Sequence, residues 1–280
     1  MSNIANYIER IEIESLWNGR RHIVWNLRPD VNILSGVNGV GKSTILNRVV
    51  NYLLGIQPVD KGLKGVKLTF SPEGCEKVSF DVIRSFDRPM LRGDVFDKAF
   101  VAVQNAVDAT LNSELDFQLY QLQRRYLDYQ VNASNRIVEL FTKGDPNAQQ
   151  KAQEIAREKA HFQDLVDDLF RETGKKIDRD SNEIYLLQLD ERLSPYKLSS
   201  GEKQMLLILL TVLVQDKQPY VLFMDEPEIS LHIDWQQRLI GLVRDLNPNA
   251  QIILTTHSPA VVMDGWTDCV TDVEDIVVRN

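Results

Sequence analysis

Apolar and polar residues alternate along Tyr7-Ile8-Glu9-Arg10-Ile11-Glu12-Ile13-Glu14, the spacing of a strand with one face in a core. Asn18-Gly19 is a tight-turn pair, and the apolar-rich segment from His22 to Leu27 runs up to Arg28-Pro29-Asp30, so the two segments predict a hairpin. The apolar run Val31-Asn32-Ile33-Leu34 into Ser35 predicts a third strand, and Thr44 to Leu54 reads as a helix. Lys67 to Phe70 and Lys77 to Arg84 alternate around Ser71-Pro72-Glu73-Gly74, which predicts a second hairpin and an antiparallel sheet in the N-terminal part.

The period then changes. Leu115, Leu119, Leu122, Tyr126 and Tyr129 recur at three- and four-residue steps, as do Ile155, Ala156, Phe162, Leu165, Val166, Leu169 and Phe170. Gly144-Asp145-Pro146 separates the two runs and Gly174 ends them. The a/d pattern is not sustained, so a compact helical insertion is expected rather than a long coiled coil. Strand character returns at Glu183 to Leu189, a helix is expected over Met205 to Val214, Tyr220 to Met224 is a continuous apolar run typical of a buried parallel strand, and Gln251 to Thr256 reads as one more buried strand. The pattern as a whole is that of an α/β protein.

Composition narrows the function classes. The chain has 280 residues and a net charge of −8, with a pI near 5.1, which argues against a globally basic nucleic-acid surface. Arg124-Arg125 and Lys175-Lys176 with Arg179 are the only compact basic groups in the middle, and they read as solvated helix faces and ends. The longest apolar stretch, Met205 to Val214, is too short to span a bilayer, and the N-terminus lacks a charged-then-apolar signal, so a cytoplasmic protein with no membrane partner is expected. Cys75 and Cys269 lie far apart without His or Cys neighbours at ligand spacing, the pattern of reduced structural thiols.

The chemistry sits at two strand ends. Gly36-Val37-Asn38-Gly39-Val40-Gly41-Lys42-Ser43 matches the phosphate-loop pattern G-x-x-x-x-G-K-[ST] at a strand-to-helix turn. Glycines let consecutive N–H groups converge on phosphate oxygens, and the helix N-terminus adds favourable partial charge. Lys42 is placed to reach the β- and γ-phosphates and Ser43 to ligate Mg²⁺. Gly36, Asn38, Gly39, Gly41, Lys42, Ser43 and Thr44 are therefore the candidate residues for binding a nucleoside triphosphate. The apolar run ending in Asp225-Glu226 supplies a second metal ligand in Asp225 and, in Glu226, a general base for the attacking water. His257 follows the last apolar run, where it can meet the γ-phosphate or that water. Leu198-Ser199-Ser200-Gly201-Glu202-Lys203-Gln204 places a serine and small residues at a helix N-terminus, another anion site.

In this order the motifs resemble the ATP-binding-cassette (ABC) type ATPase head: phosphate loop, helical subdomain, signature, Walker B strand and switch histidine. The resemblance implies an ABC-ATPase, or P-loop NTPase, fold with a mixed, largely parallel core sheet, an N-terminal antiparallel β subdomain and a helical insertion. It implies one domain over 1–280, with a β/P-loop lobe at 1–94, the insertion at 95–180 and a signature, Walker B and switch-histidine lobe at 181–280. It also implies that Ser199 and Gly201 contact the γ-phosphate held by an opposite subunit, giving a homodimer that sandwiches two ATP molecules. Ser200 stands where the family often carries glycine and Glu202 where transporters often carry glutamine. Gln104 is a candidate for the family's Q-loop glutamine.

Asp225-Glu226-Pro227-Glu228-Ile229-Ser230-Leu231-His232 and Thr255-Thr256-His257-Ser258-Pro259 look like the SMC, RecF and OLD branch rather than the transporters. That branch includes AAA family ATPase subunits of bacterial anti-phage systems and DNA-repair ATPases. It implies an Mg²⁺-dependent ATP hydrolase acting on a separate effector such as a nuclease. About 20 residues follow His257, fewer than the roughly 50 of even a small domain. A DNA-binding repair ATPase and, less favoured, a transporter subunit are the alternatives, and nucleic acid stays open as a partner.

Overall fold

The computed structural model describes residues 4–16, 21–56, 65–84 and 113–278, which belong to two compact units, 1–85 with 217–280 and 86–216. The Asn18-Gly19 turn and Gln104 lie outside the described residues.

In the first unit the alternating segments form β1 (Tyr7–Leu16) and β2 (Arg21–Asn26), paired antiparallel with Ile11 opposite Trp25 and Ile13 opposite Ile23. All four side chains are buried, as the period of two requires. β3 (Val31–Ser35) leads through residues 36–41 into α1 (Lys42–Leu53), and β4 (Val66–Ser71) lies antiparallel on the other side of β1. β5 (Phe80–Arg84) departs from the expected second hairpin, because it pairs with a strand of a different sheet instead of with β4. Alternation marks a half-buried strand but not its partner, and an edge strand of a parallel sheet shows the same pattern.

The second unit contains α2 (Glu114–Thr142) and α3 (Ala148–Leu169), then short strands β6 (Lys176–Ile177), β7 (Leu186–Gln188) and β8 (Glu191–Leu193), and finally α4 (Ser200–Val214). A capping box opens α2: Ser113 Oγ accepts from Asp116 N at 3.3 Å, and Asp116 Oδ2 accepts from Ser113 N at 3.2 Å. Its stripe Leu115, Leu119, Leu122, Tyr126 and Tyr129 is buried, as are Phe162, Val166 and Leu169 on α3. Both helices pack against α4, whose residues from Glu202 to Leu213 are buried on every side. A buried ion pair, Lys203 Nζ to Asp116 Oδ1 at 2.8 Å, joins α4 to the start of α2. The expected strand from Glu183 to Leu189 is shorter, confined to β7, which runs antiparallel to both β6 and β8.

The chain then completes the first unit with β9 (Tyr220–Asp225), α5 (Ile233–Leu246), β10 (Ala250–Thr255), α6 (Pro259–Met263), β11 (Val270–Asp272) and β12 (Val277–Val278). Five strands form a parallel sheet in the order β11-β3-β10-β9-β5, and four form an antiparallel sheet in the order β12-β2-β1-β4. The registers set Ser35 beside Asp272, Leu34 beside Thr255, Thr255 beside Asp225 and Asp225 beside Arg84, so the carboxyl ends of all five strands share one edge. That edge is where ligands bind in open α/β sheets.

Phe223 of β9 is fully buried and meets Phe80 of β5 edge to face, with ring centroids 6.2 Å apart. Burying such a ring contributes about 2 to 3 kcal/mol. Gln251 joins the two sheets. Its Oε1 accepts from Ile8 N at 2.9 Å, while its Nε2 donates to Ile8 O at 2.8 Å and to Arg28 O at 2.7 Å. Every polar atom of this buried amide thus has a partner, and the satisfied bonds fix how β1 meets β10.

Candidate functional site

Glycine conformation shapes the loop between β3 and α1. Gly36 has φ +147°, and a Cβ there would meet Val40 Cγ1 at 2.9 Å, so a side chain fits neither the backbone nor the space. Gly41 caps α1 with φ 103° and provides no side-chain bond, which leaves the orphan N–H groups of the first turn uncapped. Asn38, Gly39 and Thr44 are exposed at this end of the helix.

Lys42, the first residue of α1, is 4% exposed. Its Nζ donates to Gly36 O at 2.9 Å and reaches Val37 O at 3.4 Å and His257 Nε2 at 2.6 Å. Burial pushes the ammonium below its ordinary pKa, opposed by the negative charges of Glu226, Asp225, Asp272 and Glu228. Ser43 Oγ donates to Asp225 Oδ1 at 2.9 Å. His257 Nε2 lies 3.2 Å from Glu226 Oε1, so this nitrogen faces an ammonium and a carboxylate together. It accepts from Lys42 when unprotonated and donates to Glu226 when protonated. Lys42, Ser43, Asp225, Glu226 and His257, drawn from three separate stretches of sequence, are thus assembled in one unit.

Ser199 and Gly201 belong to the other unit. Ser199 caps α4: its Oγ accepts from Glu202 N at 3.3 Å and donates to Glu202 Oε2 at 2.9 Å, and its own N donates to that oxygen at 3.0 Å. Glu202 Oε1 also accepts from Lys175 Nζ at 2.8 Å and Thr173 Oγ1 at 2.9 Å. Burial opposes ionisation of Glu202, but the bonds from Lys175, Ser199 and Thr173 outweigh it and hold the carboxyl below its usual range. Gly201 is the second residue of the helix.

Two participants escape the sequence reading. Thr255 Oγ1 donates to Asp225 Oδ1 at 2.6 Å and accepts from Glu226 N at 3.1 Å, which orients both acids. Only the register of β9 with β10 reveals it. Glu228 accepts from the backbone of His257 and Ser258, a contact no local spacing announces.

A family model described as "AAA domain, putative AbiEii toxin, Type IV TA system" matches residues 120–264, just over half of the chain. The chain belongs to this AAA family. The Septu protein PtuA of Bacillus thuringiensis is 24% identical over 299 residues, a match covering 91% of this chain and 72% of that protein. The Retron Vc95 probable ATPase of Vibrio cholerae serotype O1 biovar El Tor is 31% identical over 91 residues, covering 29% of this chain and 18% of the relative. Among solved structures, an SMC head bound to the C-winged helix domain of ScpA superposes with a TM-score of 0.55 at 13% identity, over 92% of this chain and 91% of that one. This AAA protein therefore has the fold of an SMC head. Among the described residues no helix is long and apolar enough to cross a membrane.

The residues present fit a nucleotide with its metal. Ser43 and Asp225 offer two hard oxygen donors, the kind Mg²⁺ takes alongside phosphate oxygens. Among the described residues no group of three or more His, Cys, Asp or Glu is arranged to hold a metal ion.

Proposed function

We propose that this AAA protein is an Mg²⁺-dependent ATP hydrolase of the cytoplasm whose ATP-bound heads pair and thereby control a separate effector, such as a nuclease, in anti-phage defence. The carrying observation is the cluster of Lys42, Ser43, Asp225, Glu226 and His257 at the carboxyl edge of the parallel sheet. Likeness to the Septu and retron proteins supports the biological setting.

In this reading the 36–43 loop binds the phosphates and Lys42 neutralises charge on them. Glu226 orients and deprotonates the attacking water, and His257, in reach of Glu226 and Lys42, holds the γ-phosphate side of the site in register. Ser43 and Asp225 would hold Mg²⁺, which would supply stabilisation of the negative charge on the phosphates. The helix N-terminus at Ser199 and Gly201 completes the site on a second copy.

Two measurements test it. Sedimentation with Mg²⁺ and a non-hydrolysable ATP analogue should convert parent monomers to dimers, whereas Ser199→Arg, which puts a bulky cation at the cap, should stay monomeric. A parent that stays monomeric under those conditions removes the sandwich from the proposal. Thr255→Val deletes the hydroxyl that orients Asp225 and should raise the Mg²⁺ concentration needed for half-maximal hydrolysis about tenfold, the usual effect of losing an outer-sphere partner. An unchanged requirement shows that Thr255 does not tune the metal site. Turnover stimulated by duplex DNA would move the reading to a repair ATPase.

A further inference from the structure

The turn after β9 carries an acid that the hydrolytic motif leaves without a role. Glu226 and Ser230 have φ of 49° and 72°. Ile229 N donates to Glu226 O at 3.2 Å and Leu231 N to Glu228 O at 2.9 Å, so residues 226–231 form a tight turn closed by two backbone bonds. The turn leaves Glu228 only 7% exposed, a position that an ionised side chain keeps only with compensating donors.

Those donors flank one residue. Glu228 Oε1 accepts from Thr256 Oγ1 at 2.5 Å, His257 N at 3.0 Å and Ser258 N at 3.3 Å. One oxygen therefore ties the residue before His257, His257 itself and the residue after it. Ser258 is held again by its hydroxyl, which donates to Gln236 Oε1 at 2.6 Å, and Gln236 Nε2 donates to Leu231 O at 2.9 Å. The second carboxylate oxygen, Oε2, is buried without a hydrogen-bond partner among the described residues.

The geometry points to Glu228 as a positioning residue for hydrolysis, which fixes the His257 backbone so that the imidazole stands between Lys42 and Glu226. The inference rests on the ATPase reading of that cluster. Nε2 sits 2.6 Å from Lys42 Nζ and 3.2 Å from Glu226 Oε1, and a misplacement of about 1 Å at such a site costs on the order of 100-fold in rate.

The test uses the full chain as parent, Glu228→Ala, Glu228→Gln, His257→Ala and the Glu228→Ala/His257→Ala double variant. Glu228→Ala should lower kcat about 100-fold while KM for ATP moves less than about threefold. It should add nothing to His257→Ala, because a residue acting through another is non-additive with it. Glu228→Gln keeps an acceptor oxygen at the same reach and should recover much of the rate.

A second readout needs no turnover. The protein has four histidines, and in a ¹H–¹⁵N imidazole spectrum the His257 signal is identified by its loss in His257→Ala. That signal should move in Glu228→Ala while those of His22, His161 and His232 stay in place. Additive rate losses or an unmoved His257 signal overturn the inference. Should the alanine variant unfold, Glu228→Asp decides, since its shorter side chain cannot keep the three bonds to Thr256, His257 and Ser258 and should move that signal. If parent and His257→Ala hydrolyse alike, the role of His257 fails, and the imidazole spectrum still tells whether Glu228 positions it.

Discussion

Glu226→Gln should lower ATP hydrolysis about 100- to 10,000-fold, the range expected for a lost general base, while Mg-ATP binding stays near the parent level. The backbone at this residue is secured independently of its carboxylate. Glu226 N donates to both Thr255 O, at 3.0 Å, and Thr255 Oγ1, at 3.1 Å, so the left-handed conformation at the end of β9 survives the exchange. The amide matches the carboxylate in size and still reaches His257 Nε2, but it accepts no proton from water. Lys42, Ser43 and Asp225, which the proposal assigns to the phosphates and their metal, are untouched, so binding and chemistry should separate. Single-turnover hydrolysis beside equilibrium binding measures this, and the ATP-bound dimer of the variant should outlive that of the parent. A variant that turns over at the parental rate would remove Glu226 from the role of base.

Much of this site was legible before the fold was known, because its parts are local. The glycine spacing of 36–41, the apolar run that ends at Asp225 and the three-residue interval from Ser199 to Glu202 each describe a turn, a buried strand or a helix cap within one short stretch. What escaped depends on which strands lie side by side. Thr255 reaches Asp225 because β10 pairs in register with β9, and β5 pairs in parallel with β9 instead of closing the expected hairpin. Glu228 gains its meaning from a loop 28 to 30 residues later. Lys175 and Thr173 reach Glu202 from nearly 30 residues upstream, a contact that no periodicity records. Period and turn chemistry describe segments, whereas the outer layer of a site is built from encounters between them.

Lys42→Met should abolish the stabilisation that Mg-ATP confers while leaving the unliganded protein about as stable as the parent. At a nucleotide concentration of about 100 times the dissociation constant, binding adds roughly 2.7 kcal/mol to parent stability, and this gain should vanish with the ammonium. Two opposing effects keep the ligand-free fold near its parental stability. Methionine loses the bonds to Gly36 O and His257 Nε2, but it also removes a buried charge whose desolvation is the main cause of the lowered Lys42 pKa. An unbranched apolar chain of similar length fills the same volume. The pH dependence has a definite sign. Because the folded-state pKa lies below that of a free lysine, the unfolded chain holds the extra proton, and parent stability rises as pH climbs from the folded value toward the free one. Lys42→Met lacks that rise. Calorimetry with and without Mg-ATP, repeated across the alkaline range, reads both effects. A variant that keeps the nucleotide-induced shift would mean that the loop holds phosphate through its backbone alone.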